Sequence, residues 1–205
     1  MATNLKNTGP ERSNIPLRDL LREIRACRHC EAQLPLGPRP VLRASATARL
    51  LIVGQAPGTR VHDTGIPWND PSGDRLRQWL QMSPEEFYDE SMIAIVPMGF
   101  CYPGRGKSGD LPPSPDCAHL WHEPLLQHMP RLELVLLVGS YAQNHYLGKS
   151  RETLTHRVRR FEDFAPRFLP LPHPSPRNTL WLRRNPWFEE EVVPALRRRL
   201  AEIFP

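Results

Sequence analysis

Short runs of unbroken apolar residues punctuate the chain: RLLIVG at 49–54, MIAIVPMGF at 92–100 and ELVLLVG at 133–139. Runs of that length closed by glycine or proline read as strands buried on both faces. RFLPLPHPSPRN, at 167–178, predicts one more short strand followed by a loop. Between these runs the apolar period changes. PLRDLLREIRAC sets Leu17, Leu20, Leu21 and Ile24 at helical spacing. GDRLRQWLQM, PDCAHLWHEPLLQHM and SYAQNHYLG also read as helices, with Pro124 as the expected kink in the second. NPWFEEEVVPALRRRLAEIF closes the chain as an amphipathic helix interrupted near Pro194. Strands alternating with helices predict a largely parallel sheet covered on both faces. Residues 1–15 carry no periodicity and read as a flexible leader, and 16–205 read as a single domain without repeat or linker. In such sheets ligands gather at the carboxyl ends of the strands, where GQAPG (54–58) and HPSP (173–176) fall.

Composition narrows this picture. A chain of 205 residues with 40% hydrophobic content can bury a sizeable core without crosslinks. No apolar run approaches the roughly 20 residues of a membrane span, and the first residues are polar rather than signal-like. The expectation is a cytoplasmic protein, nucleoid-associated if bacterial, with no membrane partner. The net charge is +5, and only Lys6, Lys107 and Lys149 among the 27 basic residues are lysine. Arginine forks suit phosphates, which points to a polyanionic partner, although solvated helix faces account for the charge equally well. The 24 prolines mean that loops carry much of the surface.

The chemistry concentrates in three stretches. Cys27 and Cys30 form a Cys-x-x-Cys pair, and Cys101 and Cys117 bracket CYPGRGKSGDLPPSPDC. In a reducing compartment such a pair is more often a metal or redox site than a disulfide. Four thiolates can enclose a zinc ion or an iron–sulfur cluster, and spacing alone does not choose between them. The loop between Cys101 and Cys117 is too rich in glycine and proline for a core element, and reads as folded around a ligand. VGQAPGTRVHDTGIPW has neither of the two glycine orders that cradle phosphates. Gly54 and Gly58 instead let the backbone approach a flat ligand, and Trp68 offers a ring to stack on it. His173 stands in a loop between two prolines.

In this order, Cys27/Cys30, GQAPG, Cys101/Cys117 and HPS, the chain resembles the uracil-DNA glycosylase superfamily over roughly residues 17–204, most closely its iron–sulfur branch. The resemblance implies a three-layer α/β/α sandwich with a short, mostly parallel central sheet. It also implies a 4Fe–4S cluster held by Cys27, Cys30, Cys101 and Cys117, with zinc as the lesser alternative. Gly54, Gln55, Ala56, Trp68 and His173 would then line the base pocket. Trp68 falls on the stacking aromatic, and His173 on the histidine that donates to the base carbonyl. Ser175, Arg177 and Asn178 fall in the DNA-inserting loop, Arg177 where several relatives carry a wedge leucine. The implied protein is a monomeric, monofunctional DNA glycosylase that flips a deaminated base, uracil first and then hypoxanthine or xanthine, hydrolyses its N-glycosidic bond and leaves an abasic site. None of the three lysines lies in a matched motif, so no lyase step is expected.

Three positions depart from the family pattern. Gln55 replaces the glutamate of the nearest branch, and Ala56 stands where the best-known branch has its water-activating aspartate. Pro97 replaces the asparagine with which family four reads uracil. With His173 and Gln55, Asp70 is therefore taken as catalytic, because family five carries an aspartate in the equivalent loop. Asp70 reads equally as a helix cap. Asp63 follows it, and Asp74 is expected to cap the next helix. These departures sustain an alternative, a damaged-base-binding protein of the same fold that does not excise. A zinc-bearing nucleic-acid-binding domain unrelated to glycosylases is a weaker one.

Overall fold

A computed structural model describes residues 14–107 and 109–205. The expected leader over 1–15 lies almost wholly outside the described residues. Four strands form one sheet: β1 (Leu50–Val53), β2 (Ile93–Ile95), β3 (Leu134–Val138) and β4 (Phe168–Leu171), in the order β2-β1-β3-β4. Every pairing is parallel, with Leu51 opposite Ala94 and Val135, and Leu137 opposite Pro170. The sheet is thus more uniform than the mostly parallel arrangement expected. Pro170 is tolerated because β4 is an edge strand.

The unbroken apolar runs divide by parity, as a two-sided sheet requires. Leu51, Val53, Ala94, Val135 and Leu137 point to one core, where α1 (Leu17–Arg25) contributes Leu20 and Ile24 and α5 (Pro115–Gln127) contributes Trp121 and Leu125. Leu50, Ile52, Leu134, Leu136 and Val138 point to the other, against Leu76 and Trp79 of α3 (Pro71–Leu80) and Leu196 and Leu200 of α9 (Val193–Ile203). Helices therefore cover both faces, giving the three-layer sandwich. Truncating one of these fully buried leucines to alanine would cost about 2–5 kcal/mol.

The helices differ from the pattern reading in particular places. Pro124 does not end α5, which runs on to Gln127. The final helix is interrupted by a wide turn over Phe188–Val192, and Pro194 sits in the first turn of α9, where a missing N–H costs nothing. Short helices α2 (Thr59–Thr64), α4 (Pro84–Phe87), α7 (Leu154–Arg159) and α8 (Thr179–Arg184) form where no apolar period is long enough to announce them; α6 (Ser140–Tyr146) was expected. α4 is set by a reciprocal cap between Ser83 and Glu86. Asp74 is not the cap of α3. Asp70 is, accepting the Gly73 N–H at 2.8 Å, while Asp74 pairs with Arg77. No described helix is long and apolar enough to cross a membrane.

Candidate active site

The chain leaves β1 for β2 on one side and reaches β3 on the other, so the sheet's switch point lies beside the end of β1. A cavity of about 420 Å³ opens there. Its walls come from Gly54–Gly58 after β1, Pro97 after β2, and His173, Ser175, Arg177 and Asn178 after β4. The loop before α3 adds Trp68 and Asp70, and the cysteine loop adds Gly109 and Asp110. Every residue expected to bind base or DNA, and the three expected to be catalytic, share this cavity. Asp63 does not line it; its backbone carbonyl accepts from Arg39 instead.

Trp68 is held in place by the backbone. It adopts a left-handed conformation (φ 57°), uncommon for a bulky residue. Neighbouring groups hold that strain. Tyr88 Oη donates to Pro67 O at 2.9 Å and Arg77 Nη1 to Trp68 O at 3.4 Å. Gly73 is required because the Trp68 carbonyl occupies the space a Cβ would fill, and a Cβ on Gly54 would stand 2.8 Å from the indole Cζ2. The indole thus lies directly on the first glycine of GQAPG, with its ring centroid 5.6 Å from that of His173.

His173 is part-buried, and its tautomer follows from one contact. The Ser175 backbone N–H donates to Nδ1 at 3.2 Å, so in the neutral ring the proton sits on Nε2. Among the described residues nothing bonds Nε2. Burial pushes the His173 pKa below its usual 6.5, against smaller opposing effects of the Asp70 and Asp110 carboxylates. The ring is therefore neutral at pH 7 and presents an N–H donor. Asn178 Nδ2 donates to His173 O at 2.8 Å and Arg75 Nη1 to Ser175 O at 3.1 Å, which fixes the loop behind the ring. Asn178 and Ser175 are thus partly spent on holding their own loop.

Gln55 donates from Nε2 to Leu111 O at 3.1 Å, tying the GQAPG loop to the cysteine loop. Pro97 lines the cavity, and its carbonyl accepts from His122 Nε2 at 3.0 Å. Sequence reasoning missed Asp110. A signal was present: between Cys101 and Cys117 the only acids are Asp110 and Asp116, in a loop expected to fold around a ligand.

A second cavity, of about 380 Å³, is lined by Cys27, Cys30, Cys101 and Cys117 together with apolar and proline side chains. All four cysteines are free. Burial, and secondarily the neighbouring thiols, pushes Cys101 up to about 11. Cys117 is pushed to about 12 by burial, although the Phe100 N–H, which donates to its sulfur at 3.3 Å, opposes the shift. Cys30 Sγ donates to Ser114 Oγ at 3.3 Å, bringing the loop after α1 to the start of α5. Among the described residues no group of three or more His, Cys, Asp or Glu side chains is arranged to hold a metal ion. The thiols line the walls of one cavity without converging on one point.

The strand-end cavity and the parallel sheet are joined by a third observation. The sequence model of the uracil DNA glycosylase superfamily matches residues 43–197, from before β1 into α9. The chain belongs to this superfamily. Its members are generally hydrolytic DNA glycosylases. The match covers GQAPG, Trp68, Cys101, Cys117 and HPS, while Cys27 and Cys30 precede it.

Proposed function

We propose that this superfamily member is a monofunctional DNA glycosylase of the iron–sulfur branch that excises a deaminated base, uracil foremost, from DNA. The supporting observation is the uncommitted Nε2–H of a neutral His173 on a cavity that the neighbouring Trp68 indole also lines. Flipping a nucleotide out of the stack costs a few kcal/mol. Stacking on Trp68 returns about 1–3 kcal/mol of that. As the C1′–N bond lengthens, its electron pair moves onto the base and charge gathers on the carbonyl oxygen. A fixed N–H aimed at that oxygen accelerates such a step by about 10²–10³. The Asp70 and Asp110 carboxylates supply negative charge beside a sugar that becomes cationic. Gln55 closes the pocket wall, and Gly54 and Ala56 let the base lie against the backbone. Ser175, Arg177 and Asn178 lie where phosphates flanking the flipped nucleotide would pass.

The thiols fit a cluster. Their cavity sets four sulfur donors among mostly apolar and proline side chains, with Gln33 and Ser114 as its other polar residues, and a backbone N–H on Cys117 of the kind that tunes cluster sulfurs. A 4Fe–4S cluster held by Cys27, Cys30, Cys101 and Cys117 would tie the loop after α1 to α5 and stabilise the fold.

The second reading, binding of a damaged base without excision, is favoured by Gln55, whose amide is tied to Leu111 O beside Ala56, leaving the first motif without an acid. Single- and double-stranded oligonucleotides carrying uracil, hypoxanthine or xanthine separate the two. Excision predicts alkali-labile sites, with uracil processed fastest and His173→Ala slower by about 10²–10³. A mobility shift with no alkali-labile site would establish the binding protein instead.

A further inference from the structure

Ala56 removes a carboxylate from the GQAPG loop, and a different element brings one back to the same wall. Asp110 lines the cavity from the loop between Cys101 and Cys117. Its backbone is pinned on both sides: Gly106 N–H donates to Gly109 O at 2.6 Å, Leu111 N–H donates to Gly104 O at 2.8 Å, and Leu111 O accepts from Gln55. Gly109 has φ +151°, and a Cβ on it would run into the Arg177 guanidinium, so this loop packs against the one carrying His173. Asp110 Oδ2 comes within 3.6 Å of where a Cβ on Gly58 would stand. The carboxylate therefore sits against the loop that carries Ala56, although it starts from the other side of the cavity.

The other acids are committed elsewhere. One oxygen of Asp70 is held by the Gly73 N–H as a helix cap, Asp74 is paired with Arg77, and Asp63 does not line the cavity. Asp110 makes no hydrogen bond or ion pair among the described residues, and it is exposed, so water reaches it. We propose that Asp110 is the catalytic residue that takes the proton of the attacking water, in place of the carboxylate that Ala56 lacks; this rests on the glycosylase reading above. Water oxygen bonds to C1′ while the C1′–N bond breaks and its electron pair leaves with the base. One water proton passes to Asp110 and then to solvent, and the base anion, held by His173 Nε2–H, takes a proton from solvent. The products are the free base and the abasic sugar, with water as the only co-reactant.

The test is single-turnover excision of uracil, hypoxanthine and xanthine by wild type, Asp110→Asn and Asp70→Asn between pH 5 and 9, with duplex affinity and melting temperature measured alongside. A positioned proton acceptor contributes about 10²–10⁴. Asp110→Asn should therefore slow every substrate at least 10²-fold while affinity and melting stay near wild type. Asp70→Asn keeps a competent cap and should lose less. Formate should return part of the rate to Asp110→Ala. The proposal falls if Asp110→Asn stays within about threefold of wild type, if Asp70→Asn is the more damaged, or if Asp110→Asn reorders the bases rather than slowing all of them. Wild type inactive on every base would overturn this proposal and the glycosylase reading together, whereas an active wild type with an unimpaired Asp110→Asn would overturn this one alone.

Discussion

The indole of Trp68 and the imidazole of His173 lie side by side on the cavity wall with centroids 5.6 Å apart and planes tilted by 35°. One ring offers a face, the other an in-plane N–H, and a flat heterocycle entering beside them can use both. Their contributions differ in kind. In the proposed reaction the stacking surface acts on the flipped state and the N–H on the departing base. Trp68→Ala should therefore weaken capture of the extruded base, by 1–3 kcal/mol or roughly 10–100-fold in kcat/KM. Trp68→Phe should keep most of the activity. Steady-state kinetics on a uracil duplex checks both. An alanine variant with wild-type kcat/KM would remove the indole from base binding.

Gly54 tests the same ring from behind. A methyl group there would sit 2.8 Å from Cζ2 of Trp68, closer than carbon atoms pack. The indole cannot withdraw, because its residue is fixed by Arg77 and by the close approach of Gly73. Gly54→Ala should therefore tilt the indole into the cavity and lower excision at least tenfold, with about 1–3 kcal/mol of stability lost to overpacking. Trp68→Ala in the same chain should recover the stability but not the activity. A Gly54→Ala protein with wild-type excision would show that the slot is wider than these contacts imply.

The thiol cavity makes a separate prediction. Protein purified without oxygen should be brown, with about four irons and four inorganic sulfides per chain for a single cubane cluster. Cys117→Ser should lose the colour and melt at a lower temperature, because the closure between the loop after α1 and α5 is lost. Stoichiometric zinc in colourless wild-type protein would replace the cluster with a single ion.

Much of the architecture was legible because the strands are buried on both faces. Continuous apolar runs such as Leu134–Val138 have no competing helical reading when glycine closes them. The short helices were not legible, since α2, α7 and α8 are set by tertiary contacts and caps rather than by any period of their own. The site divides in the same way. Trp68, His173, Cys101 and Cys117 stand near punctuating glycines and prolines, and Cys27 and Cys30 are marked by their own spacing. Asp70 carried two roles of equal weight in sequence, and the structure establishes the capping one through Gly73. Asp110 was marked only as one of two acids in the cysteine loop, and its approach to Gly58 exists only in space.

His122 gives a pH dependence that can be signed from geometry. It is 2% exposed, and Pro97 O can only accept, so Nε2 carries the proton and Nδ1 accepts from Tyr146 Oη at 2.8 Å. Burial pushes its pKa down to about 4, whereas in the unfolded chain it returns to near 6.5. Between those values the unfolded chain binds a proton that the folded chain refuses, so stability falls as pH falls. The loss should be roughly 2 kcal/mol between pH 7 and pH 5. His173 and His145 are lowered by burial too and add in the same direction. His122→Gln removes the titration and should flatten the slope, which urea unfolding at the two pH values measures directly. Because His122 donates to the carbonyl of Pro97, which lines the cavity, the same variant should alter the relative rates on uracil and hypoxanthine. An unchanged slope would mean that His122 titrates alike in the folded and unfolded chains.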